Sequence, residues 1–333
     1  MNTERTRPNF IQTDDDRKLR YYNWWLLTTS GRNSKFSDFP TDTTDIKRQV
    51  NDLLLDRFET PENAQTGANQ LAEQEEHQFL SKEVLRWIDK RDVRLCFWLW
   101  CYIRHSKQQL DHGEPIDENI PTSSPGTPME TNERYLYLSL GLNENPISHE
   151  ERYNGIISFF DFWQASQKIK KQFIALLQEK WAKDVEPITF PCSGRAKDNQ
   201  TEWFINYVEG SDLPLNWLPS AYAKEERYPT CTALVDYFWT NRDSDSKRYF
   251  LTKLKKAWSQ QKHRAQMDQK NQKGYNFVMD INVGDMLTEM AKKHETPKNK
   301  LLEQLIKNEY SNYLYAEHDK QKGRSSSKEK NRS

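Results

Sequence analysis

Glycine is scarce in this chain, 11 residues in 333, and no glycine-rich loop of the kind that cradles phosphate occurs in it. Neither GxSxG nor HExxH is present, which removes the usual marks of a serine hydrolase and a zinc protease. The four cysteines, Cys96, Cys101, Cys192 and Cys231, form no CxxC pair. His77, His105, His112 and His149 lack metal-ligand spacing, so neither a metal nor a cofactor is expected. Glu150 and Glu151 read as helix surface, and no catalytic residue is assigned: the chain is not expected to be an enzyme. The longest uncharged apolar run, Leu95 to Ile103, is far below the ~20 residues of a membrane-spanning helix. The opening MNTERTRPNFIQTDDDRK lacks the apolar core of a signal peptide. These absences predict a cytoplasmic chain with reduced thiols and no membrane partner.

Only 35% of residues are apolar, whereas 29% are charged and 12% aromatic, the balance of charged helices anchored by a few large rings. The length predicts two domains. Tyr21, Tyr22, Trp24 and Trp25 form an aromatic cluster that either packs internally or docks on a neighbouring domain. Ile46, Val50, Leu53, Leu54 and Phe58 recur at helical spacing and predict a helix over 44–58, broken by Thr60, Pro61 and Glu62. One or two helices are expected from Phe79 to His105, the second buried, and a helical block from His149 to Lys183. Residues 1–110 are thus a helical N-terminal region and 135–218 a second helical region, with short strands or loops at EWFINYV and LPLNWL. Between them, 111–134 carries six acids, one arginine and four prolines, and is expected to be a linker or exposed loop. Residues 316–333 are expected to be a disordered tail.

Net charge is zero, but it is segregated. From Lys247 to Lys273 nine Lys or Arg face the single acid Asp268. In this basic helical segment, 219–272, Phe250, Leu251, Leu254 and Trp258 make an apolar stripe, leaving Lys253, Lys255, Lys256, Lys262 and Arg264 for solvent or phosphate. The next segment, 273–315, changes period midway. Phe277, Met279, Ile281 and Val283 alternate with Asn276, Val278, Asp280 and Asn282, which predicts a strand with one apolar face. Val283, Leu287, Met290, Ala291 and His294 then follow helical spacing, with Asn282 as N-cap and Asp285 in the first turn. A second helix is expected from the N-cap Thr296 and Pro297, burying Leu301, Leu302, Leu305 and Ile306. Strand, helix and helix in roughly 40 residues cannot close a core alone. The pattern predicts a ribbon-helix-helix homodimer with Phe277, Met279, Ile281, Leu287, Leu302, Leu305 and Ile306 in the shared core.

A two-stranded ribbon fits the major groove of double-stranded DNA. Asn276, Val278 and Asp280 are then the base-reading residues, suited to adenine, a thymine methyl and cytosine. Lys273, Lys298 and free N–H groups over Thr296 to Asn299 are expected on phosphate.

The stretch LTEMAKKHETPKNKLLEQLI, with Asp280 in the strand and AWSQQKHRAQ upstream, resembles the Ter macrodomain organiser (MatP) family over about 222–312. The resemblance implies a helical bundle followed by a ribbon-helix-helix on a palindromic site, and adds Lys262, His263 and Arg264 as DNA contacts beside Lys255 and Lys256. About 200 residues precede the matched region, and the tail after Tyr315 is shorter and more polar than the family's C-terminal coiled coil. Mainly α in fold class, the chain is therefore expected to bind DNA site-specifically, in chromosome or mobile-element organisation. The alternative is a repressor or antitoxin whose N-terminal region binds a protein or ligand.

Overall fold

Helix starts in this chain are set by short oxygen-bearing side chains. Asp15, Asp42, Thr60, Asp92, Ser148 and Ser166 each occupy an N-cap and accept a hydrogen bond from a first-turn N–H. This computed structural model describes residues 9–31, 42–112, 114–115, 119–123, 129–185, 190, 198–211, 213, 226–240, 242–270, 273 and 275–329, with the backbone alone at 198–199 and 319–329. Cys192, nearly all of LPLNWL and the last four residues lie outside them. The chain is mainly helical and divides into two compact units, Met1–Lys262 and His263–Ser333.

In the first unit, α1 (Asp16–Thr29) buries Tyr21, Tyr22 and Trp24, and Trp24 stacks on Phe162 at 4.6 Å. The aromatic cluster is core. Helix α2 (Thr43–Phe58) falls where its periodicity placed it. Thr60 and Pro61 end α2, but they also start α3 (Pro61–Gln78), which its sparse apolar content had hidden. Gly67 lets α3 approach α2: a Cβ there would lie 2.3 Å from the Phe58 ring. After α4 (Lys82–Leu85), α5 (Val93–Arg104) is buried on every side from Leu95 to Ile103.

The acidic segment leaves and rejoins a small antiparallel sheet rather than linking domains. Its strands β1 (Lys107–Asp111), β2 (Glu114–Pro115) and β3 (Glu133–Tyr135) lie in the order β2-β1-β3, with Gln108 opposite Arg134 and Leu110 opposite Pro115. Lys107 pairs with Glu133 at 3.0 Å, so acids at the segment's end find a cation on the first strand. Helices α6 (Leu136–Ser139), α7 (His149–Phe162) and α8 (Gln167–Lys180) follow, the last closing in a π-helical turn, Trp181–Val185. EWFINYV, expected as strand or loop, is helical in α9 (Asp198–Glu209), where Phe204, Ile205 and Val208 share a face. Next come α10 (Arg227–Trp239) and α11 (Ser244–Gln269).

The main core joins side chains from both sides of the acidic segment, so the two helical regions form one body. Helix α5 packs against α7 and α10. Helix α10 gives Ala233, Leu234 and Tyr237 to that core, and Cys231 and Val235 to a second cluster with Phe190, Phe204, Ile205, Val208 and Leu254. Cys96, Cys101 and Cys231 are buried free thiols, their pKa values raised by desolvation.

Buried ion pairs tie distant segments. Arg94 Nε donates to Asp236 at 2.7 Å, and Arg17 grips Asp161 through Nε at 2.7 Å and a second nitrogen at 2.5 Å. Arg152 pairs with Glu226 and lies over the Phe97 ring. Burial pushes the Asp236 carboxyl up to about 6 against the pull of Arg94. It drives the Lys170 ammonium down to about 7 and the His105 imidazole to about 4. Among the described residues no helix is long and apolar enough to cross a membrane.

In the second unit, α12 (Ile281–Lys293) and α13 (Lys298–Glu329) are joined by a tight turn. Thr296 N–H reaches Ala291 O at 3.0 Å and Glu295 N–H reaches Lys292 O at 3.3 Å, a Schellman closure with Glu295 at φ +49°. Helix α13 continues to Glu329 through the segment expected to be a disordered tail; its first half, where Lys307 pairs with Glu303 at 2.6 Å, propagates the helix into polar sequence.

Candidate nucleic-acid interface

Tyr275 to Asp280 is extended but forms no strand: among the described residues its only backbone bond outside a ladder is Gly284 N–H to Asp280 O, at 3.0 Å. A single strand has no ladder to join, so its backbone groups face solvent. The two-residue alternation is kept. The Tyr275 and Phe277 rings stack at 6.1 Å with a 20° interplanar angle, which puts these alternate residues on one side. Asn276 and Val278 alternate with them, and Val278 is wholly exposed at 104%.

The helix begins two residues before its expected start. Asp280, assigned to base reading, occupies the N-cap of α12, and Ile281 and Asn282 are helical. With no second strand to pair with, local i to i+4 bonds take these residues. Asn282 is therefore no N-cap.

The apolar residues expected in a shared core are largely uncovered. Phe277 is 61% exposed, Met279 40%, Ile281 82%, Leu305 38% and Ile306 55%, while Leu287 and Leu302 are half-buried. Only Ala291 and Leu301 are buried where α12 meets α13.

Lys298 and Asn299 open α13, exposed. Thr296 does not belong with them: its N–H is taken by Ala291 O and its hydroxyl donates to His294 O at 3.0 Å. Pro297 has no N–H, and its carbonyl accepts from Lys300 and Leu301. The free donors are thus those of Lys298 and Asn299. Lys273 is exposed, its Nζ 5.9 Å from the Tyr275 ring.

On α11, Leu254 is fully buried, while Lys255, Lys256, Lys262, His263 and Arg264 are exposed. Lys255 and Lys262, like Lys256 and His263, are two turns apart and stack along one side. Not every cation of the basic run is presented this way. Lys247 is half-buried and donates to the Asp184 carbonyl, and burial lowers its pKa. Arg248 pairs with Asp245 at 3.2 Å. Sequence counting could not separate these from the exposed set, because position on the helix decides it. No protein-family model, curated protein or solved structure matches the chain.

Proposed function

We propose that this chain is a site-specific double-stranded DNA-binding protein acting as a homodimer, in which two copies of Tyr275–Met279 pair as an antiparallel ribbon over the α12 and α13 hairpins. One observation carries the reading: an extended segment with one aromatic and apolar face, its backbone groups unbonded among the described residues, precedes two helices that bury only Ala291 and Leu301 between them. A second copy satisfies both needs at once, since pairing supplies ladder bonds and covers Phe277 and Met279. Asn276 and Val278 then project into the major groove, with Lys298 and Asn299 on phosphate.

The basic side of α11 adds phosphate contacts through Lys255, Lys256, Lys262 and Arg264, which strengthen binding without reading sequence. Chromosome or mobile-element organisation, as the family resemblance implies, is the role preferred over repression of a single promoter. Selection of bound oligonucleotides by the full-length protein tests the activity. The expected product is a palindromic consensus that Asn276→Ala degrades at symmetric positions, with affinity for that site falling by about 1 to 3 kcal/mol. Equal binding of all sequences, or an unchanged consensus, would overturn the reading. Mapping of bound sites in cells then separates scattered sites, expected of an organiser, from one promoter.

A further inference from the structure

We propose that a cleft in the first unit, between α1, α4, the turn leading into α5, and α7, binds a small phosphorylated molecule. The cleft measures about 690 Å³, the size of a small-ligand site and too small to admit a duplex. Leu85, Ile88 and Ile157 give it an apolar floor, and six cations line it against three acids.

Four of those cations already have carboxylate partners. Arg17 is held by Asp161, Arg20 by Asp16 at 2.6 Å, Lys90 by Glu150 at 2.8 Å and Arg91 by Asp89 at 2.9 Å. Lys82 is 3.9 Å from Asp15. Arg86 is exposed; its backbone N–H donates to the Glu83 carbonyl at 3.3 Å, and its guanidinium has no hydrogen bond or ion pair among the described residues. When Asp161 and Glu150 are included, the cluster keeps a surplus of one positive charge, and Arg86 carries it.

A guanidinium presents a planar fork of donors that matches a phosphate, and that of Arg86 is engaged by no other described residue. The Lys90 and Arg91 pairs lie in solvent, where such pairs are worth little, so both cations can turn to a phosphate at small cost. Arg17 is different: with Asp161 and the Leu80 carbonyl fixing its head, it is a rigid part of the wall. Tyr153 is half-buried on the α7 side, with Lys90 Nζ 5.7 Å from its ring centroid. It offers a face for a planar group beside the phosphates.

The test is calorimetric titration of the full-length protein with inorganic pyrophosphate and with ADP, in wild type and in Arg86→Glu, Lys82→Glu and Lys168→Glu. Lys168 is exposed on α8 and does not line the cleft, so it controls for a general change of charge. Arg86→Glu and Lys82→Glu should each weaken pyrophosphate binding about tenfold or more, while Lys168→Glu binds like wild type. Thermal unfolding checks that the variants fold, and alanine at the same position replaces any that does not. ADP binding more tightly than pyrophosphate, with the advantage lost in Tyr153→Leu, identifies a nucleotide; equal binding identifies the phosphates alone. No binding of either probe at millimolar concentration, or equal losses in the cleft variants and Lys168→Glu, would overturn the proposal.

Discussion

The two units use the same helical alphabet with opposite outcomes. In the first, α5 is apolar all round and every large ring on it is buried. In the second, α12 is amphipathic and α13 mostly polar, and Ile281 and Met286 on α12, Ile306 on α13 and Phe277 just before them are more than half exposed. An amphipathic pattern alone therefore does not make a core. The first has enough helices to cover one another, whereas in the second α12 and α13 bury only Ala291 and Leu301 where they meet. A stripe becomes core only when another element arrives to cover it.

The strongest way to break that comparison is to damage the self-sufficient unit. Trp98 is fully buried and its Nε1 donates to Thr240 Oγ1 at 3.1 Å. Trp98→Ala is expected to destabilise the first unit by about 3 to 5 kcal/mol in denaturant unfolding and to leave self-association unchanged. A loss below 1 kcal/mol would show that this core is looser than it looks.

Phe277→Asp reverses the experiment. From a lone chain, where the ring is 61% exposed, it removes little beyond the contact with Tyr275, but it places a charge in the proposed pairing face. Sedimentation equilibrium should show self-association about a hundredfold weaker, with the first unit's unfolding unaltered. Self-association equal to wild type would remove this residue from the interface.

A smaller effect comes from acid. His105 has a pKa lowered by burial from 6.5 to about 4, so the unfolded chain binds its proton more readily. Its contribution is full above pH 6.5 and is lost as pH falls through 6.5 toward 4. Asp236 runs the other way: raised from 3.8 to about 6, it contributes fully below 3.8 and loses that as pH rises through 6. Comparing wild type with His105→Phe isolates the imidazole, and wild type should lose about 2 kcal/mol more than the variant between pH 6.5 and 4. Parallel pH profiles would contradict the assignment.

The smallest change sharpens the contrast from the other side. Glu295 sits at φ +49° where glycine is at ease, so Glu295→Gly is expected to stabilise the α12 to α13 turn by about 1 kcal/mol. Thermal melts at several protein concentrations measure it, and destabilisation would mean that the Glu295 side chain matters more than its backbone.

Much of the fold was legible where periodicity and caps coincided: α2, α5, α7 and α8 all fall within spans that apolar spacing predicted. Helix α3 escaped because its buried face is built from Ala64, Gly67, Ala68 and Leu71, too small to register as a stripe. Pairing across the acidic segment is a contact between residues 28 positions apart, Lys107 with Tyr135, which no local pattern encodes. The alternation around Phe277 was legible, but the point where it yields to helix was not. Asp280 has the composition of either a strand residue or a cap, and the partner strand decides between them. Arg86 gave no signal at all: its interest lies in what surrounds it, three helices drawn from separate parts of the chain.

All eleven tryptophans precede His263, the last of them Trp258, whereas the second unit holds Phe277 and four tyrosines, at 275, 310, 313 and 315. Light absorbed at the red edge of the aromatic band, where tyrosine is dark, is therefore emitted by the first unit alone. Tryptophan emission thus follows the unfolding of the first unit in the intact protein without a dye, whereas the tyrosine signal comes from both units.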